Sequence, residues 1–78
     1  MGLSLAALGE RIYEENKVEW EKVFPGKIIA IETGSRQLAG LGETVDGAYQ
    51  DAASKFPEGR FYFRKVGEEK AAGYLFLG

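Results

Sequence analysis

Apolar residues recur at helical spacing over residues 4–24 and then, past Pro25 and Gly26, at every second position. At 100° per residue, Leu5, Leu8, Ile12, Asn16, Trp20 and Val23 fall on one stripe, with Tyr13 and Phe24 at its margin. Glu10, Glu14, Lys17, Glu21 and Lys22 lie opposite, so the segment reads as an amphipathic helix with one amide in its apolar seam. Ser4 stands where an N-cap belongs, and Pro25-Gly26 is a stop signal. Gly9 lowers the helical preference of the first turns by about 1 kcal/mol relative to Ala, which predicts fraying before Glu10.

The β-branched stretch over residues 27–33 predicts a strand, Gly34-Ser35 a tight turn, and residues 36–41 the partner strand of a hairpin. Gly40 and Gly42 read as the exit from the sheet, and Thr44 as the cap of a second helix. In that helix Val45, Ala48, Tyr49, Ala52, Ala53 and Phe56 follow the i, i+3, i+4 template without a miss, and Pro57 with Gly59 ends it. Its alanines allow a close approach to whatever it covers. A second β unit follows: residues 60–66, a polar turn, and residues 71–77. The chain thus reads as one α+β domain over residues 1–78, ordered α-β-β-α-β-β, with two helices on a four-stranded, mainly antiparallel sheet.

Both sides of the pleat are apolar. Ile28 and Ala30 oppose Ile29 and Ile31; Phe61 and Phe63 oppose Tyr62 and Val66; Leu75 and Leu77 oppose Tyr74 and Phe76. Strands of this kind are covered on both faces. If the two helices share a face, the other is left for a protein partner or for self-association as a homodimer, and this is the favoured expectation. One helix on each face is the alternative.

Composition narrows the chemistry. The 78 residues are 45% hydrophobic, enough to fill a small core without staples. Absence of cysteine removes disulfides and thiolate chemistry, and absence of histidine removes the commonest general base and metal ligand. A net charge of −2 argues against a dedicated nucleic-acid binder. Residues 1–8 have neither a basic start nor an apolar run of signal-peptide length, and nothing approaches a membrane span, so a soluble cytoplasmic chain is expected.

The run from Gly40 to Gly47 joins a strand to a helix as a phosphate loop does, but its spacing matches no nucleotide fingerprint, and Glu43 and Asp46 sit where an anion would. It reads as a capped connection. Glu32, Glu43, Asp46 and Asp51 are close in sequence without a nucleophile or a calcium-loop spacing, so no enzyme, metal or cofactor is expected. Two binding surfaces remain. Trp20, Tyr62, Phe63, Tyr74 and Phe76 are the candidate apolar anchors for a partner. Arg60, Tyr62, Arg64 and Lys65 interleave base and ring as an RNA-stacking strand would, although the spacing departs from the RRM signature.

Pro25-Gly26-Lys27-Ile28-Ile29-Ala30-Ile31, then Gly40, Thr44, Ala48, Ala52, Phe56-Pro57 and a strand ending at Val66, resembles a group of small prokaryotic domain-of-unknown-function proteins. The resemblance covers residues 25–66 and departs at Ile28, where those proteins carry an aromatic residue, and in the longer final β segment. It implies a hairpin, helix and strand, no catalytic activity, and an accessory or antitoxin-like role as a small partner protein. The sequence reading is therefore a non-enzymatic protein-interaction module, with a small RNA-binding domain as the alternative.

Overall fold

A computed structural model describes residues 4–67 and Tyr74–Phe76, the last three by backbone alone. The first helix, α1, spans Leu5–Val23, and the Ser4 hydroxyl accepts the Ala7 N–H as its N-cap. The hairpin strands are β1, Ile28–Glu32, and β2, Gln37–Gly42. The second helix, α2, is Val45–Lys55, capped by the Thr44 hydroxyl on the Gly47 N–H. It leads to β3, Phe61–Lys65. The fold is α+β, built of two helices and an antiparallel sheet.

Three strands of five or six residues form the body of the sheet in the order β2-β1-β3, with β1 antiparallel to both neighbours. β2 and β3 are therefore parallel to each other, and α2 carries the chain across β1 between them. The strand expected over residues 71–77 is represented by Tyr74–Phe76, β4, which pairs with the outer side of β3. Residues 71–73 and 77 lie outside the described residues.

The expectation that both helices share a face is overturned. Ile12, Tyr13 and Trp20 of α1 pack with Ile29, Ile31, Tyr62 and Val66 on one side. Ala48 and Ala52 of α2 pack with Ile28, Ala30, Ala39, Phe61 and Phe63 on the other. The physical reason is the offset of the helices. α2 lies over β2 and β1, whereas α1, about 28 Å long, runs over β1 and β3 on the opposite side. All five residues of β1 are buried as a result. On β1, β2 and β3 the apolar character of both pleat sides is satisfied by the chain's own helices.

Two details of β2 were not visible in the sequence. Gly40 and Gly42 do not leave the sheet but sit in β2, where α2 crosses it. A Cβ at Gly42 would lie 2.6 Å from the Ala48 backbone nitrogen, and one at Gly40 would be 2.6 Å from that of Ala52. The absence of side chains there, with Ala48 and Ala52 opposite, sets how close α2 comes. In addition, Leu38 and Leu41, three residues apart, would point to opposite faces of a regular strand. The pairing shifts between Ala30↔Gly40 and Ile31↔Leu38, leaving Ala39 as an extra residue, so both leucines join the α1 side.

Candidate interaction site on the first helix

The inward face of α1 is seated on β3 by a glycine and a polar network. A Cβ at Gly9 would overlap the Tyr62 ring, so the glycine is a contact surface and α1 continues through it to Leu5. The Tyr62 hydroxyl donates to Glu10 Oε2, and Arg64 Nη1 donates to Glu10 Oε1 at 3.3 Å. The Arg64 guanidinium lies 3.9 Å from the centre of the Tyr13 ring. The Tyr13 hydroxyl donates to Glu21 Oε2 at 2.9 Å and accepts the Gly67 N–H at 3.1 Å. Burial, followed by the hydrogen bond to Glu10 and its charge, holds the Tyr62 phenol above its ordinary value, with Arg64 opposing. Tyr13 is raised as well, chiefly by burial and then by Glu21, against the Gly67 amide and Arg64. Both phenols stay protonated donors at neutral pH. The network fastens a helix to a sheet and offers no nucleophile.

Several residues named from the sequence lie in this seam or in the core beside it, which corrects their assignment as exposed anchors. Tyr62 and Phe63 are 2% and 0% exposed, and Trp20 is 8% exposed against the Tyr13 ring, 6.0 Å between centres. Each is buried within the single chain. For Tyr74 and Phe76 the structure gives the register, Phe63↔Tyr74 and Phe61↔Phe76; their side chains lie outside the described residues. The alternative RNA surface is also divided. Tyr62 and Arg64 are buried under α1, while Arg60 and Lys65 are exposed. Ring and base therefore do not alternate on a wet face, as stacking requires.

The other candidates are structural. Asn16, the amide in the apolar seam, donates to the Ile12 carbonyl one turn back at 2.9 Å. Glu43 pairs with Lys27 at the mouth of α2. Glu32 accepts the Ser35 hydroxyl and the Ser35, Gly34 and Arg60 N–H groups, tying the hairpin turn to the start of β3. Burial pushes its carboxyl up, but those four donors outweigh it and hold the group below the usual carboxylate range.

What remains open is the outward flank of α1. Val23, placed on the edge of the apolar stripe by periodicity, is 55% exposed, and Val18, about 140° from it around the helix, is 81% exposed. They are the exposed large hydrophobic residues among those described. Glu14, Glu15, Asn16, Glu19 and Lys22 join the two valines around a shallow depression of about 450 Å³. Arg36, at the hairpin tip, reaches Glu15 at 2.8 Å, so this flank faces the β1–β2 side of the molecule. With Glu15 paired to Arg36, Glu14 and Glu19 against Lys22 leave the rim with a small negative excess. Sequence reading missed Val18 because a lone valine on a polar face carries no periodic signal.

Among the described residues no helix is long and apolar enough to cross a membrane. No protein-family model matches the chain, and comparison with curated proteins and with solved structures gives no match.

Proposed function

We propose that this chain is a protein-interaction module that docks a partner on the outward flank of α1, the occupant being a basic amphipathic helix of another protein. The observation that carries the reading is the exposure of Val18 and Val23 around an acid-rimmed depression. Apolar side chains of such a helix would cover the valines, and its lysines would meet Glu14 and Glu19, Glu15 being engaged by Arg36. Among the described side chains both faces of β1, β2 and β3 are taken by the chain's own helices, which favours a contact off the sheet. This keeps the accessory-partner role that the resemblance over residues 25–66 implies and moves the contact from sheet to helix.

A synthetic amphipathic helix of leucine and lysine carrying a fluorescent label is the probe, with its anisotropy as the signal. Saturable binding is expected, weakened by salt and about tenfold weaker in the Val18→Asp, Val23→Asp variant. Equal binding by that variant, or none by the native chain at low salt, would refute the reading. A leucine and glutamate helix serves as the control and should not bind.

A further inference from the structure

β2 is the last strand on its side of the sheet, so one row of its peptide groups points away from β1. Gln37–Gly42 contains no charge and no proline, two of the devices that stop an edge from pairing with another strand. It is also self-complementary, since two copies laid antiparallel about a two-fold axis would oppose no like charges. An edge of that composition invites a second copy of itself.

The structure places something at that edge already. The Leu41 N–H is donated to Asp51 Oδ2 at 3.0 Å. Asp51 belongs to the flank of α2 that overhangs β2, with Lys55 one turn on, 3.7 Å from its other oxygen. A carboxylate in this position occupies the place of the carbonyl that a neighbouring strand would offer. The extra residue at Ala39 interrupts the regular spacing of the same edge two positions before Leu41 and so shortens the stretch able to pair without closing it.

We propose that Asp51 is an edge guard: by taking the outward Leu41 amide it stops β2 from joining β2 of a second copy into a continuous sheet. The guard sits on α2, not within β2, because α2 must approach β2 closely and the strand is left with glycines instead of charges. This inference is independent of the α1 docking surface.

Sedimentation equilibrium on the native chain, Asp51→Ala and Asp51→Asn tests it. The native chain and D51N, which retains an acceptor oxygen, are expected to be monomeric; D51A is expected to dimerise reversibly, with a Kd tighter than about 1 mM. A folded D51A that stays monomeric, or a D51N that dimerises as readily as D51A, would overturn the proposal. If D51A does not fold, amide exchange in the native chain decides. The Leu41 amide should exchange at least about tenfold more slowly than the amide of Glu58, an exposed residue of the turn between α2 and β3, and equal rates would contradict the guard.

Discussion

Tyr62 shows what one residue contributes to the account. Its ring fills the α1 side of the sheet beside Gly9, and its hydroxyl leaves that apolar environment only to reach Glu10. The sequence offered it twice, as a partner anchor and as an RNA-stacking ring, because exposed and buried aromatics look alike on a strand whose two sides are both apolar. The raised phenol gives this burial a pH signature. Its stabilising contribution is complete below the ordinary tyrosine value of 10.0 and is lost as pH rises from there toward the higher folded value, since the unfolded chain ionises first. Above pH 10 the native chain should therefore lose stability more steeply than Tyr62→Phe, by about 1.4 kcal/mol per pH unit for the one proton involved. Urea unfolding at a series of alkaline pH values reads this directly. Identical slopes for the two proteins would mean that Tyr62 ionises as freely in the folded chain as in the unfolded one.

The elements differ in how far they could be read from local signals. α2 was fully legible: its apolar spacing is regular, Thr44 caps it, and Ala48 and Ala52 foretell its close approach. The start of α1 was half legible. Ser4 announced the cap, yet Gly9 was read by propensity as a weak point when its role is set by Tyr62, a residue distant in sequence. Gly40 and Gly42 misled for the same reason, because a glycine that ends a strand and one that admits a helix are the same residue until the helix is placed. These readings make opposite predictions for Gly9→Ala. Propensity alone gives a gain of about 1 kcal/mol. Overlap of the new methyl group with the Tyr62 ring costs about 1–3 kcal/mol and forces α1 off β3. A net loss of about 1 kcal/mol in urea unfolding is expected, and a gain would show that the first turn of α1 does not bear on the sheet.

At the scale of the whole molecule, the sequence correctly shows strands apolar on both sides but not what covers them. The error lay in treating two helices as a single layer. Set diagonally, α1 over β1 and β3 and α2 over β2 and β1, they close both faces around a β1 that is buried along its full length. The candidate functional surface moves accordingly. Trp20, Tyr62 and Phe63, which seemed to await a partner, are buried in the core, and the proposed contact lies instead on two valines and a set of carboxylates on the outside of α1. No periodic pattern marks such a surface, which explains why it had to be found in three dimensions.

Coverage of β1, β2 and β3 by this chain's own helices predicts unimolecular folding. The urea midpoint of the native protein should stay constant as its concentration is raised about a hundredfold. A midpoint that climbs with concentration, as it must when a second copy supplies part of the core, would contradict the account.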